Sequence, residues 1–232
     1  MKIIVLHGQT HKGSTNNITR IFLEKLSDEN TEVTEFFMTK EGPAFCIGCF
    51  NCIMKGEEKC PHAAVVMPIE KAIEESDLIV FESPCYVFGM SGQMKTLFDH
   101  LSYRWMSHRP HNSMFSKVGV CISTSAGAGE KQVTKDLKRQ LFWWGVPKIY
   151  QYSKKVGASS WEQVKPEKKA QIEKEVTKLA SRISKNIGKA KPTLKTKIMF
   201  NIMRMNQKAN NWNQTDKEHW LKNGWLAGSR PW

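Results

Sequence analysis

With 232 residues, 40% of them hydrophobic and 25% charged, the chain has the composition of an ordinary globular protein and length for one large domain or a domain with an appendage. No apolar run approaches the ~20 residues of a membrane span, and Met1–Leu6 is too short for a signal peptide, so a cytoplasmic protein whose six cysteines are reduced or metal-bound is expected. The net charge of +13 is lopsided: residues 1–130 hold 12 Lys+Arg against 15 Asp+Glu, while residues 131–232 hold 23 against 7.

KIIVLHG (2–8) is a continuous apolar run, the pattern of a strand buried on both faces. A polar loop, QTHKGSTNN, leads into Ile18, Ile21, Phe22 and Leu26 at helical spacing, and TEVTEFFM (31–38) alternates as a strand does. After a Cys-rich stretch (46–60), MPIEKAIEES reads as a helix, LIVFESPCY (78–86) as a buried strand and SGQMKTLFDHLSYRW as a helix. KVGVCISTSAGAG (117–129) repeats the pattern of strand into small-residue loop. Val133, Leu137, Leu141 and Trp144 share one face of the helix that follows, with Gly145 just past its end. PKIYQYSKKVG supplies a fifth strand, and Pro166 to Gly188 a long amphipathic helix with Ile172, Val176, Leu179, Ile183 and Ile187 on one face.

Five apolar strands alternating with helices predict an α/β fold, a parallel sheet covered on both faces. The expected organisation is one domain over 1–190 and a basic, Trp-rich helical extension over 191–232. So many tryptophans are not tolerated in an exposed tail, so the extension is expected to pack on the domain or on a partner subunit. Basic residues interleaved with aromatics also fit a nucleic-acid-binding protein, a remote alternative because no recognition motif accompanies them. No nucleic-acid partner is therefore expected.

In such a sheet the ligand site lies at the carboxyl ends of the strands, where the strand order reverses. Three strand ends carry unusual loops: 8–17, 83–92 and 123–130. In the first, backbone N–H groups at a helix N-terminus plus Ser14, Thr15 and Asn16 suit a phosphate; neither the dinucleotide fingerprint nor the P-loop pattern occurs. The second sets Pro84, Tyr86 and Phe88 past a buried strand, surfaces suited to a flat heteroaromatic ring. Small residues in the third permit close backbone approach.

GQTHKGSTN, SPCYVFGMSGQMKTLFDHLSYRWMSHRP and ISTSAGAGE together resemble the flavodoxin-like NADPH-dependent FMN reductases, including the iron–sulfur flavoproteins, in order over roughly 1–150. That resemblance implies a flavodoxin-like fold holding FMN without a covalent link. It places His11, Ser14, Thr15 and Asn16 on the phosphate, and Pro84, Cys85, Tyr86, Val87 and Phe88 beside the isoalloxazine. Thr124, Ser125, Gly127 and Gly129 close the other side. His11 stands where many relatives carry Arg, which makes phosphate affinity depend on pH near neutrality.

Four cysteines form Cys46-x2-Cys49-x2-Cys52-x7-Cys60. Three thiols at this spacing can wrap a cubane, as compact ferredoxin runs do, whereas zinc sites more often use two separated knuckles. The run resembles the cluster-binding loop of the iron–sulfur flavoproteins; many other relatives keep a similar loop without a cluster, and in those it usually continues into Asp-Asp-Met, where this chain has Pro61, His62 and Ala63. A 4Fe-4S cluster, bare thiols and zinc all stay open. Cys85 and Cys121 read as small core residues, with Cys85 able to touch the flavin. His108 and Arg109 are read either as carbonyl caps at their own helix end or as contacts for a nicotinamide cofactor or a second subunit.

The resulting expectation is an FMN-dependent oxidoreductase, a homo-oligomer that passes electrons from NAD(P)H to a quinone, flavin or other small acceptor. The alternatives are an iron–sulfur flavoprotein or flavin electron carrier serving a protein partner. Because the flavin carries the chemistry, no catalytic side chain is named.

Overall fold

The computed structural model describes residues 1–232. In chain order its elements are β1 (Lys2–His7), α1 (Ser14–Leu26), β2 (Glu32–Phe37), α2 (Asn51–Met54), α3 (Ala63–Glu75), β3 (Leu78–Glu82), α4 (Gly92–His100), β4 (Val118–Ser125), α5 (Glu130–Trp144), β5 (Lys148–Lys155), α6 (Pro166–Ser184), α7 (Leu194–Lys208) and α8 (Gln214–Lys222). All five strands pair in parallel in the order β2-β1-β3-β4-β5, so the order reverses between β1 and β3. This is the flavodoxin-like arrangement expected.

Alternation along the buried strands splits the core into two layers. Ile3, Val5, Leu78, Val80, Val118, Val120 and Ile122 face α1 and α6. Ile4, Leu6, Ile79, Phe81 and Cys121 face the other side, against α3, α4 and α5. The end of α5 follows its sequence pattern: Gly145 adopts φ 102° as the helix closes, and a side chain there would meet the Phe115 ring at 2.8 Å.

Two boundaries differ from the sequence reading. Helix α3 begins at Ala63, with Pro68 inside it, because Val66 is buried in the core and makes the first turn worth keeping despite a lost backbone donor. Helix α6 ends at Ser184, before Gly188 at φ 72°, so Ile187, expected on its apolar face, lies past its end, though still packed against the same core layer.

The C-terminal segment packs on the domain. Phe200 and Trp220 are fully buried, Trp225 nearly so, and all three belong to the layer that contains α3, α4 and α5. Phe200 stacks on Trp220 at 4.9 Å and meets Phe115 edge-on at 5.4 Å. Trp212 stays exposed. No helix is long and apolar enough to cross a membrane.

Candidate functional site: a cleft at the strand ends beside a cysteine-rich loop

The three loops meet at the carboxyl edge of the sheet, around a cleft of ≈ 260 Å³ lined by His11, Ser14, Thr15, Asn16, Pro84, Cys85, Tyr86, Thr124 and Ser125. Thr15 and Thr124 join the first loop to the third through their hydroxyls at 2.6 Å. The Cys85 N–H donates to the Thr124 carbonyl at 3.0 Å, which ties the second loop to the third. Ser125 donates to Glu130 at 2.5 Å, anchoring the third loop to the start of α5.

Helix α1 opens into this cleft. Gly13 caps it without a side-chain bond, and the first backbone bond of the helix is Asn17 N–H to Gly13 O at 3.0 Å. The N–H groups of Ser14, Thr15 and Asn16 therefore have no partner within the chain and, with the helix dipole, favour an anion. A side chain at Gly13 would lie 2.9 Å from the exposed His11 ring, which would have to swing aside. The donor set and the bare cradle fit a phosphate group.

Beneath the cleft, Glu82 is buried and its carboxylate binds His7 Nδ1, while His7 Nε2 donates to Glu35 at 2.7 Å. With a carboxylate on each side, both ring nitrogens donate, which is the imidazolium form. Burial opposes that charge, but the hydrogen bonds and charges of Glu82 and then Glu35 outweigh it and raise the imidazole pKa above its ordinary value. Burial likewise works to raise Glu35, yet Arg20, at 2.8 Å, and His7 hold it below the usual carboxylate range. His7 thus neutralises Glu82 under a cleft built for an anion.

The second loop carries a tight hairpin: Tyr86 and Gly89 exchange backbone bonds of 2.9 Å, and Val87 and Phe88 between them sit at φ 49° and 61°. Positive φ at two non-glycine residues, one of them β-branched, is strained backbone at the rim of the site. Val87 is 99% exposed and Phe88 69%. Neither lines the cleft, nor do Gly127 and Gly129, so these four expected flavin neighbours stand at its rim. Gly129 leaves room for the second loop, since at φ 101° a side chain there would lie 2.5 Å from Cys85 Sγ. Burial pushes the Cys85 thiol pKa up.

Reasoning from sequence missed Glu82 and the segment Val156, Ala158 and Ser159, which also line the cleft. The signal was present, since these last residues follow the fifth strand and Val156 N–H donates to Ser125 O at 2.9 Å.

Cys46 and Cys49 lie exposed in the loop before α2, Cys52 is buried and Cys60 half-buried. Burial, then the nearby Cys60, Cys46 and Cys49, push the Cys52 thiol up to about 11. The ligand atoms that converge within 4.8 Å are those of Cys60, His62 and His100, not three of the four sulfurs.

Arg109 does not line the cleft. It is buried, donates to the carbonyls of Ile53 (3.0 Å) and Cys52, and pairs with Asp216 at 2.5 Å. It caps carbonyls, as one reading expected, but those of α2 in the cysteine loop and not those of its own helix end. His108 donates to Asp216 at 2.7 Å. Asn213 and Thr215 of the C-terminal segment donate to Ile53 O (3.1 Å) and Met54 O (2.8 Å), so the extension clasps the cysteine loop.

A model of the NADPH-dependent FMN reductase family matches residues 1–158. The chain belongs to that family. Among curated relatives, an iron–sulfur flavoprotein of Archaeoglobus fulgidus is 30% identical over 149 residues, 63% of this chain and 64% of the relative. Another, from Methanocaldococcus jannaschii, is 31% identical over 128 residues, 55% of this chain and 65% of the relative. The match thus spans just under two thirds of either relative. Solved structures of the same fold include an FMN-dependent NADH-azoreductase of Bacillus anthracis in complex with FMN, with TM-score 0.61 and 14% identity over 79% of this chain and 100% of that one. FerB, an NAD(P)H:acceptor oxidoreductase of Paracoccus denitrificans, aligns with TM-score 0.53 and 21% identity over 80% of this chain and 98% of that one. At these identities the structures bear on the fold alone.

Proposed function

We propose that this FMN reductase family member is an FMN-dependent oxidoreductase that passes electrons from NAD(P)H to a quinone, a flavin or another small acceptor. The observation that carries the reading is the junction of three strand-end loops at the β1/β3 reversal, around partnerless N–H groups of α1. FMN, when bound, supplies hydride acceptance from the nicotinamide and electron release to the acceptor. Ser14, Thr15 and Asn16 would hold its phosphate with backbone and side-chain donors, and His11 would add a ring N–H donor at the mouth. Pro84, Cys85 and Tyr86 would flank the ring on one side and Thr124 and Ser125 on the other. His7 keeps the buried Glu82 from presenting an unbalanced negative charge to the phosphate. Val87 and Phe88, exposed at the rim, favour a homo-oligomer in which a second subunit covers the hairpin.

Reconstitution with FMN followed by stopped-flow mixing with NADH or NADPH under anaerobic conditions tests this reading. The expected result is a yellow protein whose flavin absorbance bleaches and then returns when a quinone is added. A preparation that stays colourless after FMN addition refutes the site; a yellow protein that neither nucleotide bleaches refutes the reductase. A second reading, an iron–sulfur flavoprotein or flavin electron carrier for a protein partner, draws on the four cysteines in one loop and the relatives' names. Iron and acid-labile sulfide, measured after anaerobic purification, would support it.

A further inference from the structure

The cysteine loop holds a convergence that the flavin cleft does not use. Cys60 Sγ lies 3.6 Å from His100 Nδ1, and one ligand atom each from Cys60, His62 and His100 falls within 4.8 Å of the others. From Zn–S of about 2.3 Å and Zn–N of about 2.0–2.1 Å, a tetrahedral ion would separate sulfur and nitrogen by about 3.6 Å. A thiol hydrogen bond spans the same distance, so the pair alone decides nothing; the surroundings do.

His100 is buried, and its Nε2 donates to the carbonyl of Ala44 at 2.8 Å. That bond puts a proton on Nε2 and turns Nδ1 toward Cys60. A ligating imidazole characteristically has its far nitrogen held in this way by a backbone carbonyl. The His62 backbone N–H donates to Cys60 Sγ at 3.5 Å, an interaction that favours a thiolate. The His62 ring stands at 71° to that of His100 with centroids 4.9 Å apart, and both Cys60 and His62 are only half-buried, which leaves the solvent side of the triad open.

We propose that Cys60, His62 and His100 form a mononuclear site for a divalent transition metal of the zinc class, with an open fourth position for water or an exogenous ligand. One thiolate and two imidazoles suit Zn²⁺ or Co²⁺ and are poor ligands for Mg²⁺ or Ca²⁺. Binding displaces one proton from the Cys60 thiol and involves no electron transfer. The ion would tie the end of the cysteine loop to α4, the helix that follows the flavin hairpin.

The test uses the full chain, freed of metal with a chelator and titrated anaerobically with Co²⁺ and, in competition, Zn²⁺. Expected are one ion per chain, a sulfur-to-cobalt charge-transfer band, and loss of that band on addition of Zn²⁺. Cys60→Ser should abolish the band, and His62→Ala should weaken binding at least tenfold. Cys46→Ser should leave stoichiometry and affinity unchanged. His62 is half-buried, so its variant stays informative even if the buried His100→Ala fails to fold. No saturable binding, or binding indifferent to both Cys60→Ser and His62→Ala, overturns the proposal. So does iron with acid-labile sulfide that is lost in Cys46→Ser, since Cys60 would then serve a cluster. Flavin content, read on the same samples, is a separate result: metal bound without flavin counts against the reductase reading, and flavin bound without metal counts against this one.

Discussion

Replacing Arg109 with methionine is the sharpest probe of the clasp between the C-terminal segment and the cysteine loop. Asp216 is fully buried and takes hydrogen bonds from Arg109 at 2.5 Å, His108 at 2.7 Å and Asn213 at 2.9 Å. Methionine fills much of the volume but leaves that carboxylate without its strongest partner, and breaking a buried ion pair costs about 3–5 kcal/mol. The Cys52 carbonyl also loses the Arg109 donor, an unmade bond worth about 1–3 kcal/mol. The two losses share one side chain and do not add, so a destabilisation of about 3–5 kcal/mol is expected in equilibrium urea unfolding. Local opening should accompany it: labelling of Cys52, 9% exposed in the structure, should accelerate by at least about tenfold, since 1.4 kcal/mol already gives that factor. The double variant Arg109→Met, Asp216→Asn should recover part of the loss, because no lone charge remains buried. A single variant within about 1 kcal/mol of the parent, with unchanged Cys52 labelling, would refute the clasp, since a buried pair of that cost could not then be present.

Thr15→Val removes the hydroxyl pair with Thr124 and a donor in the cleft, and should weaken FMN binding about five- to tenfold in a flavin titration, at about 1 kcal/mol per net hydrogen bond. The raised pKa of His7 makes a signed prediction: its contribution is fully present below the ordinary imidazole value of 6.5 and is lost as pH rises through the folded-state value. Stability should accordingly fall as pH rises above neutrality, and His7→Gln should flatten that slope in denaturant midpoints taken across the window. Trp220→Ala should cost about 3–5 kcal/mol in thermal or urea unfolding, as for a fully buried aromatic, and a cost under about 1 kcal/mol would mean that the C-terminal segment is not part of the core. Gly129→Ala, which places a methyl 2.5 Å from Cys85 Sγ at a residue with φ 101°, should lower both stability and FMN affinity, measured on the same preparation.

The chain order of strands and helices is a local matter, which is why it was legible. Runs such as LIVFE and VGVCIS are apolar on both faces because their strands are central, and Val133, Leu137 and Leu141 recur at the helical period because one face of α5 is buried. The three loops were legible for the same reason: each interrupts a pattern at the carboxyl end of a strand. Their junction at one cleft follows from parallel topology, which puts every such end on the same edge.

Contacts between residues far apart in the chain were decided only by the tertiary structure. Nothing local to Arg109 indicates that it caps Cys52 and Ile53 and pairs with Asp216, because the partners lie 56 or more positions away and meet only after the sheet has formed. Nor does spacing reveal that Cys60 faces His100, 40 residues on. A periodic pattern reports which face of an element is buried; what lies against that face depends on the packing of every other element, and here that packing placed an imidazole beside the last cysteine of the loop.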